Sequence, residues 1–264
     1  MGIIVKMQKY VIIVDIDGTL LAPGTYVMDE KIKSTFKRLK AEGHIVVVAT
    51  GRSLASTYKI DGIKSASFIS TLMGEELVSC PDGEMIIAPK YMDSKIVKDF
   101  VEAIEKENLK WTYKDEYEQK TYFNDEYLLN KFTTRYCERS EYEKDLADGK
   151  ICQLLVDIDV PQYIRDKFNM FEYFFMPNSY VDVNIAGSDK EKVVDCFRKS
   201  YPGYKIVAIG DSNNDLAMLK KADISIAMGN SSQDIKDICD YTTKCFWDGG
   251  VVYAISNILK IYRI

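Results

Sequence analysis

Asp15 and Asp17 stand two residues apart, where an apolar run that begins at Tyr10 gives way to Gly18-Thr19. Two more carboxylates, Asp211 and Asp215, lie in the stretch Gly210-Asp211-Ser212-Asn213-Asn214-Asp215, directly after the run Lys205–Ile209. A third polar cluster, Thr50-Gly51-Arg52, follows Ile45–Ala49. In open parallel sheets ligands bind beyond the carboxyl ends of the strands, so three polar clusters at three such ends predict one site. Several carboxylates in one cleft repel each other unless a cation joins them. A donor set of oxygens without His or Cys suits a hard ion. Mg²⁺ fits best, because it is commonly shared between one or two carboxylates and a phosphate. Small residues at the strand-to-helix turns, Gly18-Thr19 and Thr50-Gly51, let backbone N–H groups face an anion. Lys190 is placed to neutralise a phosphoryl oxygen or a carboxylate as a point charge.

These clusters need a scaffold of alternating strands and helices. Tyr10–Ile16 and Ile45–Ala49 read as strands buried on both faces. Between them Asp29 reads as an N-cap, Ile32, Phe36, Leu39 and Lys40 follow at helical spacing, and Gly43 stops the helix. Ser53 is placed to cap a short helix reaching Asp61-Gly62, and Ser67–Ile69 reads as a third strand. From Cys80 to Asn184 the chain is richer in Tyr, Lys and Glu. It carries a hairpin-like pair, Leu109–Tyr113 with Thr121–Phe123, and amphipathic helices near Ser94–Glu107 and Pro161–Met170. Strand-like stretches follow at Cys152–Asp157, Tyr173–Phe175 and Tyr180–Asn184. The first rhythm returns with a strand at Lys205–Ile209, a helix at Asn213–Lys221, a strand at Ile224–Ala227 and closing helices at Ser231–Cys239 and Gly250–Leu259. The expectation is an α/β core with a doubly wound parallel sheet, built from residues 1–80 and 186–264 and interrupted by an inserted α+β module at 81–185.

The bulk numbers set limits. A chain of 264 residues suffices for a core domain plus an insertion. A net charge of −5 argues against sequence-independent nucleic-acid binding, which needs a basic surface. No segment is apolar for long enough to span a bilayer, and the first residues lack the features of a signal peptide, so a cytoplasmic protein without membrane contact is expected. Cys80, Cys137, Cys152, Cys196, Cys239 and Cys245 include no C-x-x-C pair, and His44 is the one histidine, so free thiols and no zinc site are expected. His44 itself reads as a turn residue after Gly43. The Tyr-rich stretch Trp111–Tyr127 reads as core and rim of the insert, since no basic stripe accompanies it. A monomer or weak homodimer is expected.

The segments VDIDGTL (14–20), VVVATGR (46–52), GSDKEKVV (187–194) and GDSNNDLAML (210–219) resemble, in order, the four motifs of the haloacid dehalogenase-like superfamily. AMGNSSQDIKDICD (227–240) and the tryptophan-flanked DGGV (248–251) resemble the tail of its Cof-type phosphatase branch, which carries a large α/β cap between the second and third motifs. The resemblance implies a Rossmann-like core with an inserted cap. It also implies a Mg²⁺-dependent phosphomonoesterase acting on a small phosphorylated metabolite, such as a sugar phosphate, through an aspartyl-phosphate. On that pattern Asp15 is the nucleophile. Asp17 protonates the leaving alcohol, then deprotonates water, and touches Mg²⁺ through its carbonyl. Asp211 ligates Mg²⁺, with Asp215 and Asn214 in its shell or orienting Lys190. Thr50, the Gly51 amide and Lys190 hold the phosphoryl oxygens. Arg52 either contacts substrate or pairs with a core carboxylate.

Two alternatives stand beside this: a phosphotransferase or mutase of the same superfamily, and a non-catalytic protein that binds phosphometabolites. The second aspartate favours hydrolysis, and the full set Asp15, Asp17, Lys190, Asp211 favours an enzyme over a binder. Two positions depart from the branch pattern. Met73-Gly74 stands where Asn-Gly is usual, and Ser231 stands where the usual Gly-Asn-Ala has its Ala.

Overall fold

Runs of Val and Ile with no polar alternation demand a sheet covered on both sides, and the chain builds one. The structure, a computed structural model, describes residues 8–115, 119–121, 135–157, 160–176 and 180–261. Its strands are β1 (Tyr10–Val14), β2 (Ile45–Ala49), β3 (Phe68–Thr71), β4 (Glu76–Ser79), β5 (Met85–Ile87), β6 (Trp111–Lys114), β7 (Gln119–Thr121), β8 (Arg135–Tyr136), β9 (Gln153–Asp157), β10 (Phe171–Met176), β11 (Tyr180–Ile185), β12 (Lys205–Gly210), β13 (Ile224–Ala227) and β14 (Tyr241–Thr242).

The core sheet runs β14-β13-β12-β1-β2-β3-β4-β5. The pairings from β14 to β3 are parallel, and β4 and β5 close the edge as antiparallel strands. Alternate residues serve opposite layers. Ile12, Val14, Val46, Val48, Val207 and Ile209 enter one core cluster, with Phe36 and Leu39 from the helix Glu30–Ala41. Val11, Ile13, Val47, Ala49, Ile206 and Ala208 enter the other, with Val193 and Phe197 from the helix Glu191–Ser200. The expected caps are present. Asp29 accepts the N–H of Lys31, and Ser53 accepts that of Ser56.

Two differences from the sequence reading have plain causes. The helix capped by Ser53 ends at Tyr58, because Gly62 takes φ +83 and opens a separate turn. Met85–Ile87, beyond residue 80, adds a strand to the core sheet rather than to the insert. The turn Pro81-Asp82-Gly83, with Gly83 at φ +75 donating to the Ser79 carbonyl, folds β5 back onto β4.

The inserted segment forms a second sheet in the order β10-β11-β9-β6-β7-β8. β6 pairs with β7 as an antiparallel hairpin, as expected, although Phe123 and most of the Tyr-rich stretch lie outside the described residues. Trp111, Tyr113, Leu154, Val156, Val181 and Val183 form one face of this sheet. That face is packed against the helices Ser94–Lys106, Arg139–Ala147 and Gln162–Lys167. The opposite face carries Lys114, Gln153, Asp182 and Asn184 beside Leu155, and Lys114 Nζ reaches the Gly51 carbonyl after β2. No helix among the described residues is long and apolar enough to cross a membrane, and none of the six cysteines forms a disulfide.

Candidate active site

β1 lies between β12 and β2, so the chain leaves the middle of the sheet in two directions there. The residues that follow these three strands are Asp15, Asp211 and Thr50. The Asp15 N–H donates to the Ile209 carbonyl (3.0 Å), which holds the aspartate in register with β12. Gly18, at φ +82, lets the loop after Asp15 pass under Asp211. A Cβ there would fall 2.3 Å from Asp211 Oδ2.

Lys190 enters from the start of the helix Glu191–Ser200 and is wholly buried. Its Nζ donates to Asp15 Oδ1 (2.5 Å) and to Asp215 Oδ1 (2.7 Å). The other oxygen of Asp215 accepts the N–H groups of Asp211 (3.0 Å) and Ser212 (3.1 Å), closing a capping box with Ser212. Gly210 is required beside it, since a Cβ there would lie 2.7 Å from the Asp215 side chain. Asp215 is thereby a fixed strut between Lys190 and the Asp211 loop. Asn214 does not share that task. Its Oδ1 accepts the Ser212 hydroxyl (2.7 Å), and among the described residues Asp15 and Asp215 orient Lys190.

Two residues whose side chains the sequence reading gave no role hold Asp211. Thr19 Oγ1 donates to its Oδ1 (3.0 Å). Asn230 Nδ2 approaches its Oδ2 (3.4 Å) while donating to the Gly18 carbonyl (2.9 Å). Asn230 is anchored in turn by accepting the Phe246 N–H (3.1 Å). Its place in Gly229-Asn230 was the available signal.

The charges here are forced together. Burial, and then the charge of Asp215, push the Asp15 carboxyl well above the usual carboxylate range, with Lys190 pulling the other way. Burial and Asp215 likewise push Asp211 up to about 7, against the Thr19 hydrogen bond. For Lys190 burial favours the neutral amine, but the charges of Asp15 and Asp215 outweigh it and the group is held upward as the ammonium. Asp15, Asp211 and Asp215 each offer a carboxylate oxygen within 4.8 Å of the others. Oxygen donors alone, converging at this spacing and mutually repelled, fit a hard divalent cation of the Mg²⁺ type. Asp215 accepts two N–H groups at Oδ2 and Lys190 at Oδ1, whereas Asp211 accepts one bond at each oxygen and Asp15 one from Lys190 among the described residues, so Asp15 and Asp211 keep the most lone pairs for a cation.

The Asp17 carboxylate is not part of that group. It sits in the fork of Arg52, with Nε 2.8 Å from Oδ2 and Nη2 2.7 Å from Oδ1. Of the two roles open to Arg52 in the sequence, pairing with a core carboxylate is the one observed. Its guanidinium also lies 5.0 Å from the centre of the Tyr26 ring, and Nη1 is buried with no hydrogen-bond partner among the described residues.

Thr50 is buried, and its Oγ1 accepts the Arg52 N–H (3.1 Å), which leaves the hydroxyl proton to donate elsewhere. The Gly51 carbonyl accepts from Lys114 Nζ of the insert (2.9 Å). Leu72, Met73 and Gly74 are consecutive left-handed residues, at φ 50, 56 and 86. Such backbone is costly for Leu and Met and is held by its surroundings. Here the Leu72 N–H donates to the Arg52 carbonyl (3.1 Å) and the Met73 N–H to the Thr50 carbonyl (3.2 Å). Met73, in the place of the usual Asn, sets its Sδ 3.3 Å from where a Gly51 Cβ would lie, so a side chain at 51 would be crowded.

The chain is similar to known proteins over nearly its whole length. The model of the haloacid dehalogenase-like hydrolases matches residues 12–255. The chain is 24% identical over 257 residues to the 5-amino-6-(5-phospho-D-ribitylamino)uracil phosphatase YcsE of Bacillus subtilis (strain 168), covering 93% of this chain and 94% of that protein. Among solved structures, the haloalkanoate-superfamily phosphatase BT1666 of Bacteroides thetaiotaomicron has a TM-score of 0.81 at 23% identity, covering 94% of each chain. The subclass IIB sugar phosphatase BT4131 has a TM-score of 0.80 at 20% identity, covering 96% of this chain and all of that one. These two structures speak for the fold. The family match runs from β1, through the insert, to the closing helix, and the chain belongs to the haloacid dehalogenase-like hydrolases, in their Cof-type branch.

Proposed function

We propose that this protein is a Mg²⁺-dependent phosphomonoesterase that hydrolyses a small phosphorylated metabolite, a sugar phosphate or a close relative, through an aspartyl-phosphate on Asp15. The observation that carries this is the position of Lys190 Nζ, buried between Asp15 and Asp215 beside Asp211. A carboxylate nucleophile with a fixed cation and a second acidic donor at its side is an arrangement for handling a dianionic phosphoryl group.

Asp15 attacks phosphorus, the bond to the leaving oxygen breaks, and an acyl phosphate forms on Asp15. Lys190 and the Thr50 hydroxyl, with the Gly51 N–H, hold the equatorial oxygens as charge builds on them. Asp17, once its fork with Arg52 loosens, gives a proton to the leaving alcohol. It then takes one from the water that cleaves the acyl phosphate and frees Asp15. Asp15 and Asp211, with Asp215 beside them, would hold Mg²⁺, which would supply positive charge against the phosphoryl oxygens. The presence of Asp17 favours hydrolysis over phosphotransfer to a second hydroxyl. The named activity of the Bacillus relative, on a phosphorylated ribityl compound, favours a small hydroxylated substrate.

The test is phosphate release from a panel of metabolite phosphates with Mg²⁺, run in ¹⁸O-labelled water. Labelled inorganic phosphate, lost on adding EDTA, is the expected result. A panel with no release rejects the enzyme reading. Isomerised esters without labelled phosphate replace it with the mutase reading.

A further inference from the structure

The polar face of the inserted sheet is the largest feature that the mechanism above leaves unused. β6, β9 and β11 lie side by side there, with Lys114 opposite Gln153 and Leu155 opposite Asp182. Asp182, Asn184, Gln153 and Lys114 are all at most 4% exposed. A sheet face that packs only against protein is apolar or has its polar groups paired. This face is neither. Asp182 Oδ1, Gln153 Oε1 and Asn184 Nδ2 are buried with no hydrogen-bond partner among the described residues. Gln153 Nε2 donates to Asn184 Oδ1 (2.6 Å), and whichever way the two amides are turned, one donor and one acceptor stay open.

The open groups sit against the phosphoryl loop. Asp182 Oδ2 lies 3.4 Å from the point that a Cβ on Gly51 would occupy. Lys114 Nζ donates to the Gly51 carbonyl, and the charges of Lys114 and Lys190 act on Asp182, but no ion pair to Asp182 is formed among the described residues. Each unmet buried group keeps its desolvation cost uncompensated for as long as it stays unmet. Two acceptors and a donor match alcohol hydroxyls, each of which both donates and accepts.

Given the phosphatase function proposed above, on which this rests, we propose that Asp182, Gln153 and Asn184 are specificity-determining residues that take the hydroxyls of the leaving alcohol. The enzyme thereby selects phosphate esters of polyols or sugars over esters of plain alkyl alcohols.

Matched esters test it. Ribitol 5-phosphate is compared with n-pentyl phosphate, and glucose 6-phosphate with cyclohexylmethyl phosphate, all with Mg²⁺. At least one hydroxylated ester is expected to exceed its plain partner in kcat/KM by roughly 10²-fold or more, since a site built to bond hydroxyls rejects analogues lacking them. Asp182→Asn, of equal volume, is expected to cut that ratio at least about tenfold. Gln153→Met is expected to cut it in the same direction, and serves if the first variant fails to fold by circular dichroism. Wild-type ratios near one, or a ratio unmoved in the folded variants, overturn the hydroxyl assignment and leave the phosphatase function standing. Release from no ester at all rejects both.

Discussion

Arg52 grips Asp17 through two parallel bonds, Nε to Oδ2 at 2.8 Å and Nη2 to Oδ1 at 2.7 Å, while Nη2 also reaches the Thr25 carbonyl at 3.2 Å. A carboxylate held this way accepts rather than donates, so Asp17 must leave the fork before it can give a proton to a leaving group. Lysine cannot reproduce the fork, because its ammonium is a point charge. Arg52→Lys is expected to lower kcat by roughly tenfold, and Asp17→Asn to lower it by about 10²–10⁴-fold, the range of general acid–base catalysis. With Asp17→Asn, phosphate labelled in the substrate is also expected to stay on the protein after acid quench. Steady-state kinetics equal to wild type in both variants would remove Asp17 from the mechanism.

Lys190 is the charge on which the unliganded site depends, since it stands alone between Asp15 and Asp215 with no exposure to water. Removing one member of a buried charge cluster leaves the others uncompensated, at a cost of about 3–5 kcal/mol. Lys190→Met, similar in length, is expected to lose stability on that scale in urea unfolding and to lose nearly all turnover. A variant as stable as wild type would mean that the aspartates are neutral in the resting protein and need no cation.

The core was legible because its signals are local. Val-Ile runs mark strands covered on two faces, and Asp15, Thr50 and Asp211 follow such runs directly. Gly18 and Gly210 mark places where only a missing Cβ lets Asp211 and Asp215 close in. What was not legible depends on partners distant in the chain. The fork between Arg52 and Asp17 joins residues 35 apart, and a long side chain does not announce its partner. β5 was hidden because a change in composition at Cys80 coincides with a tight turn rather than with a domain boundary. Lys114, Gln153 and Asp182 carried no motif within the insert and were not singled out. They are buried because that insert folds down over the Gly51 loop, which no local pattern encodes.

Asp15, Asp211 and Asp215 bring carboxylate oxygens within 4.8 Å of one another, so a cation that binds there would stabilise the fold by mass action. Mg²⁺ at a hundred times its dissociation constant is expected to add about 2.7 kcal/mol to the unfolding free energy and to raise the melting temperature. EDTA is expected to reverse the shift. Asp211→Asn, which keeps the bond from Thr19 but loses a charge, is expected to show little or no Mg²⁺ shift while remaining folded. An undiminished shift in that variant would place the ion somewhere else.

His44 offers a pH test that is independent of the active site. Its place after Gly43 implied a turn residue, and the structure adds contacts that the sequence did not show. It is 3% exposed, its ring stacks on Tyr10 at 5.6 Å, and its Nδ1 accepts the Tyr10 N–H at 3.1 Å where β1 begins. Burial, then the charge of Lys9, hold its pKa below the ordinary value, against a smaller opposing effect of Glu42. A nitrogen that accepts a backbone N–H cannot also carry a proton, so protonation breaks the bond. The unfolded chain therefore takes up the proton first as pH falls past about 6.5. The stability that neutral His44 contributes is fully present above that pH and is lost as pH falls through the lower folded-state value. The raised carboxylates of Asp15 and Asp211 act in the opposite sense, so the measurement is the difference between wild type and His44→Gln, in which they cancel. The wild-type advantage is expected to shrink between pH 7 and pH 5. Because the chain has one histidine, its imidazole resonance is assigned without ambiguity, and an NMR titration midpoint at or above the ordinary histidine value would defeat the prediction.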